Sequence, residues 1–258
     1  MKIVEVNNDL YNLIMSVYKS KPDWECPYHI ASLFSYHRDR RMAAILTDIR
    51  RLTRNYFEGE PRSSYVESLS RLNSAIDIYL IELNLEMDQL ANLAYSFYAA
   101  TGKTDAPDSD YFYSLNQFVN TIRKNGIDNT MLEILGGHEY WLQSSTKLRN
   151  LIVHRLNYSD ADFDGPTKEF IVTYYGMTRC KITSCVKFVS ITYYGYRMFI
   201  RDLANHFKEY LSNELDNFLY VEMKQEQTDS YLWRSLDFFF DKGKSLVGVD
   251  IGSIMLEF

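Results

Sequence analysis

The chain is poor in the residues that build crosslinks, turns and membrane spans. Three cysteines, Cys26, Cys180 and Cys185, stand among 258 residues. A sparse, odd count excludes the disulfide framework of a small secreted domain. Cys180 and Cys185 have neither His nor a further Cys close by, so they lack the donor set of a zinc site. Only 5 Pro and 11 Gly occur, too few for a turn-rich β architecture and in keeping with long helices. Nowhere do about 18 apolar residues run together, so no spanning helix is expected. Cationic excess is missing as well. Lys and Arg number 28 against 34 Asp and Glu, a net charge of −6. That balance excludes broad, non-specific coating of nucleic acid but leaves room for a local basic site. Glu5 and Asp9 interrupt the first apolar stretch, unlike the core of a signal peptide. A cytoplasmic protein is expected.

The chain is long enough for one large domain or two small ones. Its hydrophobic share of 46% and charged share of 24% are those of an ordinary globular protein. Residues 1–60 read as a mixed N-terminal extension, with Lys2 to Val6 as a short strand and helices over 8–18 and 28–57. Arg38, Arg40, Arg41, Arg50, Arg51 and Arg54 gather in the second helix. They suit either a track for phosphates or a solvated face balanced by acids elsewhere.

Residues 61–220 carry the clearest helical periodicity. After Pro61, Ser64-x-x-Glu67 forms a capping-box pattern, and Leu69, Leu72, Ile76, Tyr79, Leu83, Met87, Leu90, Ala94 and Phe97 follow at steps of three and four. That stripe predicts one helix over 64–100, ended by Gly102. A second helix is expected at about 110–124, stopping at Asn125-Gly126. A third opens with a Thr130-x-x-Glu133 box, is interrupted at Gly136-Gly137, and resumes from His138 to about Tyr158. The stretch 159–166, Ser-Asp-Ala-Asp-Phe-Asp-Gly-Pro, is expected to break it. Residues 168–183 read as a β-hairpin insert, and a fourth long helix is expected over about 185–218. Residues 221–258 form a tail, polar first and then aromatic, that packs on the bundle.

Within the third helix, residues 149–154 read Arg-Asn-Leu-Ile-Val-His. At about 100° per residue, Arg149, Asn150, Val153, His154 and Asn157 share one arc. Leu148, Leu151, Ile152 and Leu156 fill the other, and Arg155 falls within that apolar arc. Asn150 and His154 are four apart, so the amide can orient the imidazole. Arg149 beside them is a fixed positive fork suited to phosphate oxygens. Such a set can cleave RNA: a His moves the proton of a ribose 2′-hydroxyl or of the leaving oxygen, and an Arg steadies the added negative charge. One helix supplies one His, so acid and base are filled more easily where two copies meet on a two-fold axis. The same Arg and His can instead satisfy the helix dipole and its last carbonyls.

An Arg-polar-x3-His motif near the end of the third helix of a four-helix bundle resembles the HEPN superfamily of nucleotide- and RNA-binding proteins, over roughly residues 64–218. The resemblance implies a mainly α fold. It would be a four-to-five-helix up-and-down bundle with the small hairpin insert at about 168–183 and the two extensions. It also implies a metal-independent endoribonuclease of toxin–antitoxin or phage-defence systems, needing no cofactor. Arg149 and His154 would be catalytic with Asn150 in support, and Lys147, Arg155 and Asn157 would meet RNA. Expected partners are RNA or a nucleotide, a second copy joined through the motif-bearing helices, and an antitoxin or defence-system protein, with no membrane. The alternative is a HEPN module that binds RNA or nucleotide, or assembles with protein, without chemistry. Two residues after the His stands Leu156, where members paired with a nucleotidyltransferase antitoxin commonly carry a Tyr; the nearest is Tyr158.

Among other candidates, Val247 to Ser253 resembles the phosphate-binding turn of sugar kinases, but too little chain follows it for that fold. His138-Glu139 lacks the second His of a zinc helix, and His29, His37 and His206 read as structural or surface residues. Asp77, Glu82 and Glu86 read as a solvated face, or as a carboxylate for His154 across the bundle.

Overall fold

Apolar periodicity of about 3.6 dominates the chain, and helices dominate the structure. The computed structural model describes residues 3–24, 36–55, 62–105, 114–154, 158–175, 179–222 and 231–257. Among them are eight helices and one four-stranded antiparallel sheet. The helices are α1 (Ile3–Ser20), α2 (Tyr36–Asn55), α3 (Arg62–Ala100), α4 (Leu115–Asn125), α5 (Asn129–Gly137), α6 (Glu139–His154), α7 (Cys185–Glu214) and α8 (Tyr231–Ser245). The strands are β1 (Tyr158–Asp164), β2 (Glu169–Tyr175), β3 (Cys180–Ile182) and β4 (Met255–Glu257). The region 61–220 holds five of the helices, α3 to α7. Among the described residues no helix is long and apolar enough to cross a membrane. The chain divides into two compact units. One comprises Met1–Asp39, Leu85–His138 and Arg197–Thr228, the other Arg40–Asn84, Glu139–Tyr196 and Asp229–Phe258.

In the first unit, α1 buries Leu10, Leu13, Ile14 and Val17 on one face. The segment Lys2 to Val6, expected as a strand, is helical from Ile3 onward. Extending a helix costs far less than nucleating one, so the amphipathic turns after it carry the β-branched residues along. The later part of α3 is buried on every side from Leu90 to Tyr98. Trp24 donates its indole N–H to the Ser96 carbonyl at 3.2 Å and stacks 6.0 Å from Phe97. Phe207 of α7 sits 4.9 Å from Phe97 and 5.3 Å from Tyr98, in the tilted geometry that aromatic quadrupoles prefer.

Helix ends in this unit are closed by side chains. Ser114 caps α4 in a reciprocal box with Gln117, and Asp88 of α3 accepts the next N–H, from Leu115, at 2.8 Å. Gly126 ends α4 at a φ of 60°, a left-handed position that glycine enters without steric cost. The expected Thr130-x-x-Glu133 box is not the cap of α5. Asp128 is, accepting the Met131 N–H at 3.0 Å, because the helix starts one residue earlier than Thr130. In the second unit Ser64, expected as a cap, lies within α3. Helix α3 begins at Arg62, and Glu67 pairs with Arg71 at 2.6 Å instead.

In the second unit, the first part of α3 buries Leu69, Leu72, Ile76, Tyr79 and Leu83. Its polar positions dock the neighbouring elements. Asn84 accepts the Thr146 hydroxyl of α6 at 3.0 Å and donates to the Ser145 carbonyl at 3.4 Å. Asp77 accepts the Tyr174 hydroxyl at 2.9 Å and the Ser159 hydroxyl at 3.1 Å, which fixes β1 and β2 on the helix. Burial pushes the Asp77 carboxyl above its ordinary range, outweighing those two hydrogen bonds.

The hairpin expected over 168–183 is half of a larger sheet ordered β1-β2-β3-β4. The stretch expected to break the third helix supplies β1, and the chain's last segment supplies β4. The third helix therefore ends at His154, short of Tyr158. The reason is period two: Ser159, Ala161 and Phe163 alternate with Asp160, Asp162 and Asp164, and Ala161 is buried. An acidic outward row also suits an edge strand, where charge discourages pairing with another chain.

At Gly195 of α7 an added Cβ would lie 2.5 Å from the Trp141 ring of α6. Gly195→Ala is expected to lower stability by about 1–3 kcal/mol, because the buried indole must leave its place. Urea denaturation of the variant measures this, and an unchanged midpoint would show that the ring can yield.

Candidate functional site

Helix α6 opens where Gly136-Gly137 ends α5, with His138 between them. It buries Trp141, Leu142, Leu148 and Leu151 and leaves Asn150 exposed. Val153, on the polar arc of the wheel, is 45% exposed. Among the described side chains of 149–154, Leu151 is packed, Asn150 and Val153 are open, and Arg149 and Ile152 are half-buried.

Arg149 and Asn150 are brought together: the Arg149 Nη1 donates to the Asn150 Oδ1 at 3.0 Å. The amide oxygen is thereby engaged by the guanidinium, and the amide NH2 has no partner among the described residues. His154 occupies the last position of the helix, and its side chain lies outside the described residues, as do Arg155 and Asn157 entirely. Lys147 is drawn elsewhere, into an ion pair with Glu257 of β4. The carboxylates weighed as partners for the motif are committed too. Asp77 holds the sheet, Glu82 pairs with Arg41 of α2, and Glu86 is buried.

The arginines of α2 are largely spent on the fold. Beside Arg41, Arg51 pairs with Asp48 at 2.9 Å. Arg50 donates to the Arg234 carbonyl at 3.1 Å and lies 4.6 Å over the Phe238 ring. A balanced helix face describes them better than a phosphate track. In the Val247 to Ser253 stretch, Asp250 accepts the Gly252 N–H at 2.9 Å, so this carboxylate closes its own 3-10 turn, Ile251–Ser253.

Two histidine–carboxylate pairs in the first unit escaped the sequence. His138 lies 3.0 Å from Asp202, whose other oxygen accepts two N–H groups of Arg201 at 3.0 and 2.8 Å. One turn along α7, His206 lies 2.8 Å from Asp128, which also accepts the Tyr98 hydroxyl at 2.8 Å. The spacing of Asp202 and His206 is the one available signal, since residues four apart share a helix face. Burial pushes the Asp128 carboxyl up. Hydrogen bonds from His206, the Met131 N–H and Tyr98, with the His206 charge, outweigh it and hold the group below its usual range. Asp202 is lowered in the same way by His138 and Arg201 against its own desolvation. Neither pair has a Ser or Cys nucleophile among its described hydrogen-bond partners, and both read as part-buried clamps. Among the described residues no group of three or more His, Cys, Asp or Glu could hold a metal ion. Cys180 and Cys185 are buried free thiols, and burial raises both.

Compared with protein-family models, curated proteins and solved structures, the chain matches none of them.

A carboxyl whose folded pKa is depressed adds stability above its unfolded pKa of about 3.9 and loses it as pH falls through the folded value. Asp128→Asn keeps the helix cap but removes the charge. It is expected to cost about 1–3 kcal/mol at pH 7, with the gap to the parent protein closing below about pH 4. Thermal melts across that range measure it, and a gap independent of pH would assign the loss to packing.

Proposed function

We propose that the chain is a metal-independent endoribonuclease of HEPN type, acting as a homodimer in a toxin–antitoxin or phage-defence setting. The observation that carries this reading is the Arg149–Asn150 pair on the open face of α6, opposite buried Leu148 and Leu151, with His154 ending the same helix. A rigid helix presenting a guanidinium and an amide to solvent is a fit receptor for a phosphodiester. The five helices of residues 61–220 are in keeping with such a bundle.

In the proposed reaction the 2′-hydroxyl oxygen attacks phosphorus while His154 takes its proton. The bond from phosphorus to the 5′-oxygen breaks, and the His154 of the second copy protonates that leaving oxygen. The products are a 2′,3′-cyclic phosphate and a 5′-hydroxyl. Arg149 stabilises the charge on the pentacovalent phosphorus, and Asn150 holds Arg149 in place through its amide oxygen.

Purified protein is expected to cleave RNA in excess chelator and leave 2′,3′-cyclic phosphate ends. His154→Ala and Arg149→Ala should each lower the rate by about 10²–10⁴-fold. RNA binding without turnover, weakened by Arg149→Ala, would instead establish the non-catalytic binding module. Neither cleavage nor binding of any RNA would end both readings.

A further inference from the structure

Cross-strand partners in a sheet share a face, and successive residues alternate between faces. The register Asp164↔Glu169, Val172↔Ile182 and Thr173↔Lys181 therefore sorts the sheet cleanly. Phe170, Val172, Tyr174, Cys180 and Ile182 are buried on one face. Glu257, paired with Cys180, lies on that same face and meets Lys147 of α6. Glu169, Ile171 and Lys181 project from the other. There the start of α7 and the segment 246–254 close around them and leave a groove of about 550 Å³. All of its lining belongs to the second unit.

The lining joins an apolar bed of four residues to eight polar or charged ones. Ile171, Leu246, Val249 and Ile254 form the bed, and Val249 keeps 39% of its surface in water. Most polar groups at the rim are already satisfied. Glu169 uses one oxygen on Lys187 at 2.9 Å and the other on the Ser184 hydroxyl at 2.7 Å, so the first turn of α7 has its anion. Asp164 takes the Thr167 hydroxyl, and Thr183 donates to the Ile254 carbonyl at 3.0 Å. Lys181 differs: its ammonium has no ion pair or hydrogen bond with any described residue. On β3 its row partner is Thr173 and the next strand offers Leu256, neither of them acidic.

We infer that this groove binds a small anionic ligand, a carboxylate or phosphate carried on an apolar body. The head group pairs with Lys181, and the body covers Ile171, Val249 and Ile254. The inference is independent of the motif on α6, since the groove lies on the opposite face of the sheet from Glu257 and Lys147. An ammonium without a partner beside a desolvating apolar bed gains from an anion that it does not have to share.

Amide NMR titration of the full chain with 3-phenylpropionate and with phenyl phosphate tests this, with 3-phenylpropanol as the uncharged control. At least one anion should give saturable shifts at Ile171, Lys181 and Val249, with a Kd of about 1 mM or tighter. Which head group binds identifies the ligand's chemistry, carboxylate or phosphate ester. Lys181→Met keeps the hydrocarbon stem and is expected to weaken the anion about 5–10-fold. Lys181→Arg should restore it, and unliganded melting temperatures should match the parent's. No saturable shift at these residues by about 10 mM of either anion would overturn the inference. So would equal affinity for the alcohol, or full affinity in the Lys181→Met variant.

Discussion

Helix α3 carries apolar side chains on too many faces to stand in water, and within each unit other elements cover part of its share of them. From Leu90 to Tyr98 no residue is exposed. Burial on that scale brings polar groups inside, and each must find a partner or cost about 1–3 kcal/mol. The partners are what specify the packing. Within the first unit the Ser96 carbonyl takes Trp24, Asp88 takes the start of α4, and Tyr98 reaches Asp128. Within the second, Asp77 takes the sheet and Asn84 takes α6. Apolar area supplies the driving force without direction, and these hydrogen bonds supply the register.

The orientation of the proposed RNA-cleaving face follows from that register. Ser145 and Thr146 bond to Asn84, and Trp141 fits against Gly195 because no Cβ stands in its way. With one side of α6 locked by these contacts and by Leu148 and Leu151, the Arg149–Asn150 side has no direction left but outward. The sheet works on both of its faces. One is buried and bonds through Glu257 to the motif helix, and the other holds the groove with Lys181. A short β4 from the end of the chain is therefore tied to both proposed sites while contributing no chemistry to either.

Legibility in the sequence tracked the range of the forces involved. The stripe from Leu69 to Phe97, the stop at Gly126 and the break at Gly136-Gly137 were all readable, because periodicity and glycine conformation are local. The wheel through 149–154 separated packed Leu148 and Leu151 from open Asn150 and Val153 for the same reason. The three aspartates of β1 look like loop chemistry, and its strand pattern shows only once β2 is present to pair with. The cap of α5 stands two residues before Thr130, which fits the capping pattern as well as Asp128 does. The pairs His138–Asp202 and His206–Asp128 left almost no trace, joining positions 64 and 78 residues apart.

By itself, then, the sequence determined the helical class, the long central helix and the amphipathic split of the motif, all set by neighbours within a turn or two. Tertiary structure alone decided which acids are consumed as clamps, how the last strand joins a sheet begun almost a hundred residues earlier, and that Lys181 lines a groove without a counter-charge among the described residues. Those outcomes depend on who lies opposite whom across buried interfaces, and ion pairing and strand pairing are satisfied there between residues that sequence spacing does not relate.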